Sequence, residues 1–440
     1  MAAGLGAAAW APWLQMQAMA QTASASSGNG DYKALVCLFM FGGNDGNNLL
    51  LPYEPNEYTL YSRARSNLAL DRSSVLPITP LNTSGHRYAL HPALTQTKAL
   101  FDTGQAAVLA NVGPLVVPTS KTDFEQRRVP LPPNLFSHSD QQNAWQTDNI
   151  AASVRGGWGG RMVERLVDQA TVNRSYSCVS VSGSALWGMG DGTLVPYRVP
   201  PSGRFGLDFF TPGGADPLSV ALTGLMAETR NDVFEAAWLQ SMRRAMDNQQ
   251  VLANALNSNT LRSTFPGTDL GGQMAMIARL IHARDALGLK RQCFFCSIGG
   301  FDTHGEDQLA VQQDNFSQID AAIAAFQAEM QQASLGPQVT LFTASDFGRT
   351  LVSNSRGSDH GWGNHHLVFG GAVRGQRLYG RFPDHTVDGP DDIGNGNFIP
   401  ALSLDEFGAD LARWFGAESS IAQVFPQAGN FSADLNLMAV

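Results

Sequence analysis

Six continuous apolar runs, each ending in a polar or glycine-rich loop, restrict the possible folds of this chain more than any other feature. They are ALVCLFMF (34–41), AAVLANVG (106–113), YSCVSVSG (176–183), CFFCSIGG (293–300), QVTLFTAS (338–345) and HLVFGGAV (366–373). Continuous apolarity is typical of strands covered on both faces, as in a parallel sheet. Helix-period segments at 216–256, 273–287 and 306–336 lie between the runs. This order predicts a three-layer α/β domain with a mostly parallel central sheet flanked by helices.

The composition limits the class of protein and its partners. Of 440 residues, 43% are hydrophobic and 15% are charged, which is typical of a globular protein with a large core. A net charge of −9 disfavours nucleic acid as a partner, because phosphate binding needs a basic surface. We expect one domain over 33–440, since no second-domain linker is evident.

The N-terminal region has the features of an export signal. No Lys or Arg precedes Lys33, and an apolar stretch is followed by Ala-Met-Ala at 18–20, a small-residue cleavage pattern. This predicts a signal peptide over 1–20, a flexible linker over 21–32 and a periplasmic or secreted protein. The apolar stretch is too short to span a bilayer, so we expect no transmembrane segment. A charged n-region would lie upstream of Met1.

The four cysteines are interpreted as core residues. Cys293 and Cys296 have the spacing of a redox or zinc pair, but they lie in a strand-like run with no second pair nearby. Positions three apart in a strand point to opposite faces, which suits neither role.

Carboxylates and histidines follow several of the apolar runs. Ligands of open α/β sheets bind beyond the carboxyl ends of the strands, so these residues are the site candidates. They are Asp45, Asp302, His304, Asp346, Arg349, Asp359, His360, His365 and His366. Carboxylates gathered at one sheet edge repel one another unless a cation neutralises them, and mixed carboxylate and imidazole ligands suit zinc or manganese.

Each candidate also has a structural explanation on its own. Asp45 between glycines is typical of a tight turn, and Asp302 is equally consistent with a helix cap near Glu306. Asp346 is equally consistent with an ion pair to Arg349. The metal hypothesis therefore depends on the combination of residues.

The chain resembles a bacterial, Tat-exported family described as domain of unknown function 1501. The resemblance covers nearly the whole chain after the leader and rests on several blocks in order: LVCLFMFGGNDGNNLLLPY, HPAL, FSHSDQQNAWQT, GGWGGR, FDTHG, SDFGRT, GSDHGWGNHHLVFGGAVRGQRLYG and FP. That family resembles the alkaline-phosphatase-like superfamily of phosphatases and sulfatases. The resemblance implies a twin-arginine leader upstream and, from the pairing of such families, a co-exported protein partner.

The superfamily resemblance implies a metal site with a nucleophile at a helix start. Carried over by position, the implied metal ligands are Asp302, His304 and His360 for one ion, with Asp45 and Asp346 at or near a second, weaker position. Two departures stand out. Phe347 replaces the histidine of an Asp-His dipeptide, and the segment before AWQT leaves Ser137, His138 or Ser139 as the nucleophile.

The resulting functional hypothesis is an exported, metal-dependent hydrolase of phosphate or sulfate esters. Zinc is the favoured ion, with manganese or calcium as alternatives, and the substrate is a small anionic ester. Arg349 is a candidate clamp for an ester oxygen. The alternative is a catalytically degenerate metal-binding or partner-binding protein on the same scaffold, which Phe347 favours. A single-metal, sulfatase-like site ranks below a phosphatase-like site, because the Cys/Ser-x-Pro-x-Arg signature of typical sulfatases is missing.

Overall fold

The computed structural model describes residues 32–148, 150, 155–168, 175–203, 210, 214–257, 259–432 and 434–439. The strands are β1 Lys33–Met40, β2 Leu50–Pro52, β3 Leu76–Ile78, β4 Tyr88–Leu90, β5 Ala106–Gly113, β6 Cys178–Ser180, β7 Tyr197–Arg198, β8 Arg291–Ile298, β9 Val339–Ser345, β10 Asn364–Phe369, β11 Leu378–Gly380 and β12 Leu402–Ser403. The α-helices are α1 Gly46–Leu49, α2 Pro55–Arg65, α3 Thr95–Asp102, α4 Lys121–Glu125, α5 His138–Thr147, α6 Trp158–Asp168, α7 Pro217–Ala227, α8 Val233–Asn257, α9 Asp269–His282, α10 Gln308–Gln332, α11 Leu404–Phe415 and α12 Ile421–Val424. Short 3-10 helices cover Ser66–Leu68, Gly336–Gln338, Glu418–Ser420 and Ala428–Asn430.

The central sheet is mostly parallel, as the sequence predicts. Its order is β11-β5-β10-β9-β1-β8-β6-β7, and β12 pairs with β5. Every neighbouring pair is parallel except the two made by β10, which runs antiparallel to β5 and β9. The reversal matters for the site, because the amino end of β10 meets the carboxyl ends of β1, β8 and β9 at one edge. A separate antiparallel sheet contains β2, β4 and β3.

The two faces of β1 contact different helical layers. Alternate side chains of a strand point to opposite faces. Ala34, Val36, Leu38 and Met40 belong to the core cluster that contains α9 and α10. Leu35, Cys37 and Phe39 belong to the cluster that contains α6 and α11. The three-layer α/β architecture is therefore confirmed.

The cysteines lie in the core, as predicted. All four are buried free thiols, and Cys293 and Cys296 contribute to the two opposite core clusters. Burial raises the pKa of the Cys37 and Cys296 thiols, so neither is a ready thiolate ligand or nucleophile.

The helical segments also follow the predicted periodicity, with one difference. Segment 216–256 forms two helices, because the chain becomes extended at Glu228 after α7 and resumes helical geometry in α8. Segment 306–336 becomes α10, with Asp307 at its N-cap, so Asp302 does not cap this helix. The proposed signal peptide, and the linker apart from Tyr32, lie outside the described residues. Within the described part of the chain, no helix is both long and apolar enough to cross a bilayer.

Candidate metal centre

Two glycines allow the loops after β1 and β8 to meet at the sheet edge. Gly42 has φ +114° and Gly43 has φ +80°, which are left-handed conformations that favour glycine. A Cβ on Gly42 would lie 2.4 Å from the backbone nitrogen of Asp302, and one on Gly43 would lie 2.3 Å from the ring of Phe347. The close approach of these loops therefore requires glycine at both positions.

Three imidazole nitrogens converge on one carboxylate oxygen at this edge. The Nε2 atoms of His138, His304 and His360 lie 3.4, 2.9 and 3.4 Å from Oδ1 of Asp302. Nε2 of His304 is also 3.0 Å from Nε2 of His360. The residues come from three separate segments: α5 begins at His138, Asp302 and His304 follow β8, and His360 precedes β10. The fold thus gathers one carboxylate and three histidines at one edge of the sheet.

The opposite nitrogen of each ring faces an oxygen acceptor. Nδ1 of His138 is 2.7 Å from Asp346 Oδ2, Nδ1 of His360 is 2.7 Å from the carbonyl oxygen of Phe136, and Nδ1 of His304 is 3.3 Å from Asp359 Oδ1. A carbonyl or carboxylate oxygen only accepts, so Nδ1 carries the proton in each neutral ring. The Nε2 lone pairs of neutral His138 and His360 then face Asp302, where a bound cation would relieve the contact. His304 Nε2 also accepts from Nη1 of Arg349 at 3.2 Å.

This donor set fits a divalent ion such as zinc. Histidine ligands of metals usually donate their other ring N–H to a carboxylate or carbonyl, which fixes the tautomer and the ring orientation. One carboxylate and three imidazoles also supply the four ligands of tetrahedral zinc. Among the residues described, His138, Asp302 and His360 form the group whose ligand atoms all lie within 4.8 Å of one another. His304 borders this group through its contacts with Asp302 and His360.

Charges around Asp302 and His360 favour the metal-binding protonation states. Partial burial by itself would raise the pKa of Asp302, but the hydrogen bond and charge of Arg349, together with His138 and His304, lower it to about 2. Burial, and the neighbouring positive charges, lower the pKa of His360. The carboxylate is therefore ionised and the His360 imidazole is neutral at ordinary pH.

Arg349 ties the loops of the site together. Its side chain is fully buried and donates to the carbonyl oxygens of Gly42, Gly43, Phe301 and Ser358, at 2.6, 2.9, 3.0 and 3.1 Å. It also donates to Asp302 Oδ1 at 2.6 Å. The structure thus pairs Arg349 with Asp302, whereas the sequence suggested either an ion pair with Asp346 or a clamp for a substrate oxygen. Because the guanidinium is buried and its N–H groups are already donated, it does not reach a substrate.

Asp346 holds His138 in place. Its Oδ2 accepts from His138 and from Gln142 Nε2 at 2.8 Å, and its Oδ1 accepts from the backbone N–H of Gly42 at 3.2 Å. Phe347, at the position of the expected dipeptide histidine, forms a wall of the site. Its ring centroid lies 4.8 Å from that of His138 and 4.4 Å from that of His360.

Asp45 contacts a different set of residues. It is buried, forms an ion pair with buried Arg65, and accepts from Gln308 Nε2 at 2.7 Å. It is the N-cap of α1 but makes no side-chain cap hydrogen bond. The structure therefore brings together three of the five sequence-predicted metal ligands (Asp302, His304 and His360), places Asp346 against the opposite nitrogen of His138, and places Asp45 in an internal ion pair.

The nucleophile candidates lie at the start of α5. Ser137 is the N-cap and makes no side-chain cap hydrogen bond, and its hydroxyl lies 3.2 Å from that of Ser139. His365 and His366 lie away from the cluster. His365 accepts from the Asn111 N–H at 3.0 Å, and His366 lies 3.2 Å from Thr343 Oγ1. Both of these histidines are buried within β10.

A family model with the description "Protein of unknown function (DUF1501)" matches residues 32–395. The chain belongs to the DUF1501 family. The match includes every residue of the metal cluster and of its surrounding hydrogen bonds. A search of curated proteins gave no match.

Several solved structures share part of the DUF1501 chain's topology at low identity. The PsFucS1 sulfatase from Pseudoalteromonas sp. is 7% identical, with a TM-score of 0.36 over 97% of this chain and 74% of the sulfatase. Ps i-CgsB, solved with a neocarrahexaose, is 10% identical, with a TM-score of 0.34 over 88% and 72% of the two chains. A protein of glycosaminoglycan metabolism from Bacteroides thetaiotaomicron is 11% identical, with a TM-score of 0.35 over 89% and 74%.

Proposed function

We propose that this DUF1501 protein is an exported, metal-dependent hydrolase of phosphate or sulfate esters. The observation that carries the proposal is the convergence of the three Nε2 atoms on Asp302 Oδ1, with each Nδ1 facing an acceptor. Arg349 donates to Asp302 and His304, but in neutral rings the Nε2 lone pairs of His138 and His360 would face the carboxylate without a donor, which supports a bound ion there.

The proposed ligands are His138, Asp302, His304 and His360. A bound divalent ion would polarise an ester oxygen and lower the pKa of a bound hydroxyl or water. With His138 as a ligand, its role differs from the nucleophile role that the sequence resemblance allowed. Asp346 acts through His138, because it fixes the ring so that Nε2 faces the cluster.

The start of α5 supplies the proposed contact with an anionic group. The N–H groups of its first turn have no intrahelical partners and lie beside His138, so they favour a phosphate or sulfate oxygen. Ser137 remains the proposed nucleophile for a covalent step. Its hydroxyl would attack the phosphorus or sulfur and lose its proton to a base or solvent, the bond to the ester's alcohol would break, and water would then hydrolyse the seryl ester. A water molecule is the other nucleophile that this site allows.

The alternative is a metal-binding or partner-binding protein without catalysis. Buried Arg349 favours it, because the residue expected to hold the ester is engaged by four carbonyl groups and Asp302. A co-exported protein would be the partner in that case. Metal binding without ester cleavage would distinguish this alternative from the hydrolase.

The test uses the full chain, purified without added metal and reloaded with zinc, manganese or calcium. Bound metal is measured by mass spectrometry, and activity is measured with aryl phosphate and aryl sulfate esters. We expect cleavage of one ester class that depends on the ion and falls at least tenfold in His360→Ala. Ser137→Ala tests the nucleophile, and Ser139→Ala is its matched control. A chain that binds metal but cleaves neither ester class would refute the hydrolase and support the alternative.

A further inference from the structure

A buried ion pair neutralises the one expected ligand that lies outside the metal cluster. Asp45 follows β1, and the Arg65 side chain is fully buried at the end of α2. Arg65 also donates to the carbonyl oxygen of Thr350 at 3.1 Å, and Gln308 donates to the same Asp45 oxygen as Arg65. The Arg65 guanidinium thus compensates the negative charge of Asp45, and no bound metal ion is required for this.

The described residues provide ligands for one ion only. Three carboxylates near the sheet edge each contact an internal partner: Asp302 contacts Arg349, Asp346 contacts His138, and Asp45 contacts Arg65. In the described part of the chain, His138, Asp302 and His360 form the group of His, Cys, Asp or Glu side chains that lie close enough to share an ion. The second oxygen of Asp45 is buried without a hydrogen bond, but no such group surrounds it.

We propose that this protein binds one metal ion per chain and that Arg65 provides the positive charge at Asp45 that a second ion would otherwise supply. The inference depends on the proposed function only for the existence of the metal cluster. A buried carboxylate requires a compensating charge, and an arginine remains protonated at any physiological pH. The charge at Asp45 is therefore fixed by the chain and independent of metal supply.

Arg65 compensates the charge of Asp45 and takes no part in the metal cluster. It is fully buried, so it cannot contact an ester or ionise a water molecule. Gln308, which donates to the same Asp45 oxygen, also accepts from Ser358 Oγ at 3.0 Å. Any Lewis-acid chemistry would then be carried out by a single ion bound at the metal cluster.

The test is a zinc titration by calorimetry and native mass spectrometry of the full chain. We expect one equivalent of zinc in the wild type. The double variant Asp45→Asn/Arg65→Met removes both charges of the pair, which is tolerated better than a single change that leaves one charge buried. We expect the double variant to bind one equivalent with an affinity within about threefold of wild type. His360→Ala, the control, should weaken zinc binding at least tenfold.

Two equivalents in the wild type, or loss of one equivalent in the double variant, would overturn the inference. Neither of those results would disturb the hydrolase proposal. One equivalent without ester cleavage would refute the hydrolase and leave the one-ion inference standing. A wild-type chain that binds no zinc, manganese or calcium would overturn both.

Discussion

Replacement of Asp346 by Asn tests whether Asp346 positions His138 or binds the metal itself. Asp346 accepts three hydrogen bonds, from His138, Gln142 and Gly42. An Asn side chain keeps one acceptor oxygen but brings an NH₂ group to the other position. When that group faces His138, Nδ1 must accept, and the ring proton moves to Nε2. A protonated Nε2 cannot bind a metal.

The magnitude follows from this competition between tautomers. Loss of a carboxylate that orients a histidine ligand reduces metal affinity about 10–100-fold, which corresponds to about 1.4–2.7 kcal/mol. We therefore expect Asp346→Asn to weaken zinc binding by about 10–100-fold. His360→Ala removes a ligand outright and should have a larger effect. Gln142→Met, the matched control, removes another hydrogen bond to the same carboxylate oxygen and should change affinity less than threefold.

Zinc affinity is measured by competition with a chromophoric chelator at neutral pH. Circular dichroism of each variant checks that the fold is retained. A loss below threefold for Asp346→Asn would show that the carboxylate does not set the His138 tautomer. A loss equal to that of His360→Ala would show that Asp346 is itself a ligand, as the superfamily resemblance implied. Either result would refute the geometric argument made from the Nδ1 contact.

Two further predictions concern stability. Gly42→Ala should lower the thermal midpoint and weaken zinc binding, because the new Cβ would lie 2.4 Å from the Asp302 nitrogen. Gly85→Ala, the control, also adds a Cβ at a positive φ (+85°) but with no atom within 4 Å, so its effect should be smaller. Burial raises the pKa of Asp405 to about 6 and, with the Asp405 charge, raises the pKa of Asp148. A carboxyl whose pKa is raised by folding stabilises the folded protein fully below its ordinary pKa, where the group is protonated in both states. This contribution is lost as pH rises through about 6, so the free energy of unfolding should fall between pH 4.5 and pH 8. Asp148→Asn should reduce that fall in guanidinium titrations at the two pH values, and an unchanged fall would contradict the assignment.

The sheet was largely predictable because its strands are buried on both faces. Runs such as 34–41 and 293–300 are continuously apolar, and they became β1 and β8 within one residue or two of the expected bounds. The direction of β10 was not predictable, because apolarity carries no information about strand direction. The break between α7 and α8 was also missed, since both helices have the same periodicity across the extended residue Glu228.

The site was predictable where ligands follow strands. Asp302 and His304 were singled out because they follow an apolar run directly, and the structure places them beside His360 from the loop before β10. His138 was recognised only as a nucleophile candidate, because it opens a helix and its ring direction depends on Asp346, distant in sequence. Arg65 gave no signal at all. A basic residue at the end of an amphipathic helix is usually solvent-exposed, and only the tertiary fold places it against Asp45.

The position of β1 in the sheet determines when the metal centre can form. This N-terminal strand pairs with β8 and β9, so Ala34 lies beside Gln292 and Val339, whose codons are translated much later. The centre of the sheet therefore closes only after most of the chain has left the ribosome, and such long-range pairing is slow. Because His360 comes later still, the proposed metal cluster can form only after that residue has been translated. Chains shortened before His360 would retain many helices but would lack one member of the cluster.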